Sequence, residues 1–277
     1  MANVDGDSGI TIAACLAASP LEALETRILL MHVLGFTRIQ LITRSDYCLS
    51  DAQARQMQQL IQRRVQGEPI AYIVGLREFY GLDFKVTPAV LIPRPDTELL
   101  VELAIRHTPP QGSLLDLGTG SGAIAIALAH CRRALQVSAV DLSPAALQVA
   151  ADNALAILGP GRLQLLQGDW YAAVPGQRYS TIVSNPPYIV AGDEHLSQGD
   201  LRFEPLGALT DHADGLSAYR RIVAGAKDHL SPDGWLLMEH GYDQAGAVRD
   251  LLAQHGYRNI QSWRDLAGIE RVSGGCL

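Results

Sequence analysis

From Ser113 onward, short apolar runs of strand length alternate with helix-length segments, and this strict alternation leaves few folds open. Strand patterns fall at Ser113–Leu117, Gln136–Val140, Leu163–Leu166, Thr181–Ser184 and Trp235–Glu239, with two more near Ile260–Trp263 and Glu270–Ser273. Helical patterns separate them at Ser121–His130, Pro144–Leu158, Ser217–Leu230 and Asp243–Gln254. Strands joined through helices pair in parallel, so the pattern predicts a doubly wound, mostly parallel α/β sheet of seven strands. Ligands of such a sheet collect at the carboxyl ends of its strands. The last helix precedes two closely spaced strands, which permits an antiparallel edge.

The first seventy or so residues read instead as a small helical bundle, with Leu21, Leu24, Ile28 and Leu29 at helical spacing. Ser19-Pro20-Leu21-Glu22 predicts a capped start: Ser19 as N-cap, Pro20 at the first helical position, Glu22 three residues after the cap. Ser50 and Gln53 predict a second capping box, heading a helix with Met57, Leu60, Ile61 and Val65 on one face and stopped by Gly67. Between Glu68 and Pro95, prolines and glycines interrupt any long helix while Phe79-Tyr80 and Leu82–Val86 favour short strands. Asp96-Thr97-Glu98 then opens a helix to about Arg106, its acids placed at the positive helix end. The expected organisation is a helical bundle over 1–75, a linker with a hairpin and a helix over 76–110, and an α/β domain over 111–277.

A chain of 277 residues with a formal net charge of -7 gains little from a phosphate backbone, which argues against direct nucleic-acid binding. Its densest basic pairs, Arg63-Arg64 and Arg132-Arg133, read as solvated helix faces. Cys15, Cys48, Cys131 and Cys276 are scattered without a C-x-x-C pair, which suits reduced thiols rather than a disulfide framework or a zinc site. Asp5 and Asp7 stand where a signal peptide needs positive charge, and no apolar run reaches membrane-spanning length. A cytoplasmic, membrane-free, monomeric protein is expected.

The chemistry concentrates at strand ends. Leu114–Leu117 runs into Gly118-Thr119-Gly120-Ser121-Gly122, a strand entering a glycine turn and then a helix, which lets backbone approach a nucleotide-like ligand. Gly118, Gly120 and Ala123 also satisfy a dinucleotide pattern, so an NAD enzyme competes. Asp116 separates the two cofactors, because a carboxylate at that strand end repels a pyrophosphate and suits the ammonium of S-adenosylmethionine. Asp141, 25 residues further on at the second strand end, can accept hydrogen bonds from both ribose hydroxyls. Gly168-Asp169-Trp170 closes the third strand, where Trp170 can cover an adenine ring.

Ser184-Asn185-Pro186-Pro187-Tyr188 closes the fourth strand. Its two prolines donate no backbone hydrogen bond and leave the preceding carbonyls free, making an acceptor turn. The Asn185 side-chain oxygen and the Pro186 carbonyl can each take one N–H of a substrate NH2 group, with Tyr188 against its flat face. His195 and His212 share a loop with Glu194, Asp211 and Asp214, yet no metal-ligand spacing recurs, so they read as surface polar residues and no metal is expected.

Asn185–Tyr188 after the glycine turn resembles methyltransferases of planar NH2 groups, among them adenine-N6 and protein glutamine-N5 enzymes. The likeness extends to Gly67–Gly75, Glu78–Leu82, Ile92–Glu98, Arg202–Pro205 and Glu270-Arg271-Val272, which resemble the peptide chain release factor glutamine methyltransferase family, PrmC or HemK. The resemblance implies a Rossmann-like methyltransferase sheet with an N-terminal recognition bundle, S-adenosylmethionine as cofactor, and class 1 release factors as substrates. Gly118, Thr119, Gly120, Ser121, Gly122, Asp141, Trp170 and Asn185 would contact the cofactor. Asn185, Pro186, Pro187 and Tyr188 would hold the glutamine of a Gly-Gly-Gln loop, with Asn185, Pro186 and Tyr188 doing the catalytic work. A sibling family methylates a ribosomal-protein glutamine, and Arg94–Glu98 looks more like the release-factor branch. An adenine-N6 enzyme would need a basic surface, and a non-catalytic adaptor would not need the acceptor turn. One departure from the family is the ending Gly274-Gly275-Cys276-Leu277, which predicts a shortened last edge strand.

Overall fold

The structure, a computed structural model, describes residues 7–277, and these form two compact units divided after Gly75. Asp5 lies outside the described residues.

In the first unit β1 (Asp7–Thr11) is followed by α1 (Ile12–Ala18), α2 (Ala23–Leu34) and α3 (Arg38–Thr43). Then come β2 (Cys48–Ser50), α4 (Asp51–Val65) and α5 (Ile70–Val74). Strands β1 and β2 pair antiparallel, so the unit is not purely helical as its apolar spacing suggests. Ile12, Leu29, Leu30, Leu41, Leu49 and Met57 are almost wholly buried at its centre. The Ser50–Gln53 box forms in both halves: Ser50 Oγ accepts from Gln53 N at 3.3 Å and Gln53 Oε1 accepts from Ser50 N at 2.9 Å. The cap predicted at Ser19 does not form. Ser19 ends α1, and its Oγ accepts from Leu21 N at 3.3 Å and from the Thr26 hydroxyl at 2.7 Å, so α2 begins only at Ala23. The buried stripe of α4 is also narrower than its sequence suggests, because Val65 is 61% exposed. Nor are the basic residues there simply solvated, since Arg64 pairs with Glu25 of α2 at 2.8 Å and Arg63 with Glu68.

The second unit opens with β3 (Leu76–Phe79) and β4 (Leu82–Lys85), joined by a two-residue turn at Tyr80 and Gly81 with φ of 53° and 73°. Positive φ at both central residues twists a hairpin in the sense its strands favour. Segment 76–110 is packed into this unit: Lys85 N donates to Asn153 Oδ1 at 2.7 Å, and Asn153 Nδ2 returns a bond to the Lys85 carbonyl at 3.0 Å. A 3-10 turn at Pro95–Thr97 leads into α6 (Glu98–His107).

The sheet is built from β5 (Ser113–Leu117), β6 (Gln136–Asp141), β7 (Gln164–Gln167), β8 (Tyr179–Ser184), β9 (Leu230–Glu239), β10 (Arg258–Arg264) and β11 (Glu270–Cys276). Between them lie α7 (Ala123–Cys131), α8 (Pro144–Leu158), the short α9 (Leu206–Leu209), α10 (Ser217–His229) and α11 (Ala245–Gln254). The strand order is β10-β11-β9-β8-β5-β6-β7, with β7 through β9 parallel and the last two antiparallel. Central strands buried on both faces must be continuously apolar, and Leu114, Leu115 and Leu117 are fully buried accordingly. One apolar cluster lies around α6 and α7, a second around α10 and α11.

The expectation of a shortened edge strand is overturned, because β11 is not an edge. It is seven residues long and sits between β9 and β10. Its glycines serve close approach: a Cβ on Gly274 would lie 2.4 Å from the Leu236 carbonyl oxygen. Among the described residues no helix is long and apolar enough to cross a membrane.

Candidate active site

Strand register brings the chemical residues together. Val140, Leu117, Ser184 and Met238 pair across β6, β5, β8 and β9. The residues that follow them, Asp141, Gly118, Asn185 and Glu239, therefore emerge as one row at the carboxyl edge. The order reverses between β5 and β8, where successive crossovers leave in opposite directions and open a crevice.

A cavity of about 650 Å³ occupies that crevice, within the range of roughly 300–1,000 Å³ that suits a small-molecule ligand. Gly118, Gly120, Asp141, Trp170, Asn185 and Pro187 line it. Thr119, Ser121 and Gly122, also expected to touch a cofactor, do not line it and support the turn from behind. The Thr119 hydroxyl donates to Asp116 Oδ2 at 2.7 Å, and the Ser121 carbonyl accepts from Asn153 Nδ2 at 2.9 Å. Gly122 has φ of 82°, and a Cβ there would lie 2.7 Å from Ile126 Cδ1, so it lets the turn close on α7. Gly120, with φ of 57°, meets nothing within 4 Å of an added Cβ and so leaves ligand space open.

Asp141 ties the turn to the next helix. Its Oδ2 accepts from Gly120 N at 2.8 Å and its Oδ1 from Ser143 N at 2.9 Å, so each oxygen keeps a lone pair for another donor. Capping of α8 falls to Ser143, whose hydroxyl accepts from Ala146 N at 3.2 Å. Asp116 is fully buried under the turn rather than on the cavity wall. Burial pushes its carboxyl up to about 7, against the Thr119 hydrogen bond, and its Oδ1 has no hydrogen-bond partner among the described residues.

Trp170 holds φ of 50°, an uncommon backbone for an aromatic residue that costs on the order of 1 kcal/mol. Asp169 beside it is engaged by Arg221 at 2.6 Å.

Asn185 lies at the end of β8, half-buried, with its Nδ2 donating to the Thr97 hydroxyl at 3.3 Å. Pro186 is buried and Tyr188 packs into the α10 and α11 cluster, so neither lines the cavity. Desolvation, reinforced by Glu239, pushes the Tyr188 hydroxyl up to about 12 and keeps it protonated. The Tyr188 carbonyl is held by Gln244 Nε2 at 3.0 Å, which fixes the path of the turn.

The far wall comes from Ala89, Leu91, Ala208 and Thr210, which no motif marks, together with Pro205 at the end of the Arg202–Pro205 motif. Glu204 holds these two segments together: it is buried and accepts from Ile92 N at 3.0 Å and from the Arg94 guanidinium. Recurrence of Arg94 and Arg202–Pro205 among the quoted motifs is the one sequence signal for this wall. His212 is exposed in a loop, in line with its reading as a surface polar residue, and it also lines the cavity, with φ of 57°. His195 contacts Asp193 at 2.7 Å instead. Among the described residues, no group of three or more His, Cys, Asp or Glu is placed to hold a metal ion.

Comparison with known proteins accords with this arrangement. Family models of the PrmC N-terminal domain and of the methyltransferase small domain match residues 11–75 and 95–200. A crystallographically solved methyltransferase from Pyrococcus furiosus has the same fold, with a TM-score of 0.55 at 18% identity over 78% of this chain and 95% of its own. A release factor glutamine methyltransferase from Burkholderia pseudomallei is 54% identical, covering 99% of both chains. Another, from Bordetella pertussis, is 53% identical over 97% of this chain and 100% of its own. With similarity of that depth running through both units, the chain belongs to the release factor glutamine methyltransferase family.

Proposed function

We propose that this protein transfers a methyl group from S-adenosylmethionine to the side-chain amide nitrogen of the glutamine in the Gly-Gly-Gln motif of class 1 release factors. The observation that carries the reading is that Asn185 and Pro187 line the same cavity as Gly118, Gly120 and Asp141. An acceptor turn and a nucleotide cradle thus face one space.

The residues fit S-adenosylmethionine. Open space beside Gly120 admits a backbone-hugging ligand, the spare lone pairs of Asp141 suit two ribose hydroxyls, and Trp170 offers a flat apolar face to adenine. When bound, S-adenosylmethionine supplies a methyl carbon made electrophilic by its sulfonium.

An amide nitrogen is a poor nucleophile because its lone pair is delocalised, so the protein's contribution is orientation. Well-oriented reactions gain roughly 7 to 11 kcal/mol. Asn185 Oδ1, on the cavity wall, accepts one amide N–H group, and the Pro186 carbonyl, which a glutamine must pass Asn185 to reach, accepts the other; together they fix the plane of the amide and stabilise the positive charge that grows on nitrogen. Pro186 and Pro187 have no N–H with which to compete for these acceptors. Proton loss to solvent follows methyl transfer. The first unit grips the release factor, and the chain acts as a cytoplasmic monomer without direct nucleic-acid contact, in keeping with its charge of -7.

The test is to incubate the protein with a class 1 release factor and isotopically labelled S-adenosylmethionine, then to locate the label by peptide mass spectrometry. Label on the Gly-Gly-Gln glutamine is expected. Absence of label from every release factor, or label on another residue, refutes the reading.

A further inference from the structure

We infer that Gln244 is a positioning residue: its amide pins the Tyr188 carbonyl and, through the intervening turn, sets where Asn185 and the Pro186 carbonyl point. The inference rests on the reading of that pair as acceptors of the substrate amide.

The acceptor turn is a short chain between two fixed ends. At one end Ser184 is paired with Leu117 and with Met238, and its hydroxyl donates to the Leu117 carbonyl at 2.8 Å. At the other end the peptide that joins Tyr188 to Ile189 is held on both edges. Its oxygen accepts from Gln244 Nε2 at 3.0 Å, and its N–H donates to the Leu209 carbonyl at 2.9 Å. Of the residues between these ends, Asn185, Pro186 and Pro187, the two prolines have φ locked at about −65°. Few torsions are then left by which the Pro186 carbonyl can turn. Releasing the Tyr188 oxygen leaves the far peptide held by one edge, free to swing and to carry the turn with it.

Gln244 stands at the start of α11 and does not line the cavity, so it reaches substrate only through the turn. Every hydrogen-bonding direction of its amide is engaged. Nε2 donates one proton to the Tyr188 carbonyl and the other to the Gly215 carbonyl at 3.2 Å, while Oε1 accepts from Gly241 N at 3.0 Å. A flipped amide would set its oxygen against two carbonyl oxygens and its NH2 against an N–H, so the partners determine its orientation.

Both anchors of this amide are themselves braced. Asp211 Oδ1 accepts from Gly215 N at 3.0 Å and from Ala213 N at 2.9 Å, and Asp211 Oδ2 accepts from Ser217 N at 2.8 Å. The Gly241 carbonyl accepts from Gln244 N at 3.1 Å, so the backbone of Gln244 is tied to the same residue as its side chain. The fit is close: a Cβ on Gly215 would lie 2.5 Å from the Tyr188 carbonyl oxygen and 2.9 Å from Gln244 Nε2. Gln244 thus fastens the acceptor turn to the loop that carries Asp211 and Ser217 of the cavity wall.

The experiment compares wild type with two variants. Gln244→Met keeps the length of the side chain and none of its hydrogen bonds. Gln244→Glu keeps the acceptor for Gly241 N but cannot donate to both carbonyls. The first readout is kcat for methyl transfer to a class 1 release factor at saturating S-adenosylmethionine, with cofactor Kd measured alongside. We expect both variants to lose at least about tenfold in kcat, because the acceptors are misplaced. Cofactor Kd should stay within about threefold, because the glycine turn and Asp141 are held from β5 and β6. The second readout is the order parameter of the Ile189 backbone amide in isoleucine-labelled protein, its resonance assigned by loss in Ile189→Val. In Gln244→Met it should fall from about 0.85 to about 0.6 or lower, while that of Ile182 in β8 does not change. No substrate is needed for that measurement. A fall at Ile189 in a protein whose wild type methylates no release factor refutes the substrate reading and leaves the pin standing. If Gln244→Met melts below the assay temperature, Gln244→Glu, which retains the Gly241 bond, carries the same expectations. Wild-type kcat in either folded variant, a parallel loss of kcat and cofactor affinity, or an unmoved Ile189 order parameter each overturns the inference.

Discussion

Replacing Asp141 with alanine tests how the glycine turn is held open, and its cost follows from the structure. The carboxylate accepts from Gly120 N at 2.8 Å and from Ser143 N at 2.9 Å. A hydrogen bond to a charged acceptor contributes about 1.5 to 3 kcal/mol. Both donors stand at a cavity wall where water can replace the carboxylate, which puts the combined loss near the lower end, about 3 kcal/mol. For a unit of this size that lowers Tm by about 6 to 12 °C, measured on ligand-free protein by calorimetry. Asp141→Asn should be nearly as costly, because its NH2 must face one of two backbone N–H donors. If Asp141 also binds both ribose hydroxyls, calorimetric titration will show the S-adenosylmethionine Kd raised at least about a hundredfold, equivalent to about 2.7 kcal/mol. A ligand-free Asp141→Ala that melts within about a degree of wild type would show that the carboxylate does not brace the turn, whatever it does for the cofactor.

Asn185→Ala should lower kcat by about a hundredfold or more while leaving cofactor Kd within about threefold, since it removes an acceptor for charge that develops only during transfer; unchanged kcat at saturating cofactor would exclude that role. Burial raises the Asp116 carboxyl to about 7 in the folded chain against an ordinary 3.8, so the folded state holds the extra proton, and this group's contribution to stability is fully present below about 4 and is lost as pH rises through 7. Asp116→Asn should flatten that fall in a series of denaturant melts between pH 4 and 8, and a parallel slope in the variant would mean another group carries it. Gly274→Ala forces a Cβ to 2.4 Å from the Leu236 carbonyl oxygen inside the sheet and should cost about 3 kcal/mol or more by denaturant unfolding, with near-wild-type stability as the refuting result. Glu204→Ala leaves Arg94 without its buried partner and should cost about 3 to 5 kcal/mol while opening the 199–212 segment to limited proteolysis; resistance equal to wild type would show that the wall stands without it.

How far the sequence could be read depended on how local the forces are. The glycine turn, the Ser50–Gln53 box and the strand ends at Leu117 and Ser184 are set by neighbours within a few residues, and they stand where spacing puts them. Ser19 shows the limit of such reasoning, because a hydroxyl seven residues away at Thr26 competes for it and wins. Pairing of β1 with β2 joins short strands some forty residues apart, and neither is long enough to impose an alternating pattern on sequence. The cavity wall at Ala89, Leu91 and Pro205 is irregular backbone held by Glu204, and no periodicity announces it.

Insertion of β11 between two earlier strands also has a temporal consequence. Strand β10 can join the sheet only through β11, so a ribosome that has not yet made residues 270–276 carries a nascent chain in which β5 to β9 can assemble while the outer side of β9 bares a row of unmatched N–H and C=O groups. Such a bare margin invites pairing with any extended peptide nearby. Nascent chains arrested before Glu270 should therefore aggregate or recruit chaperones, and those arrested well beyond Cys276 should not.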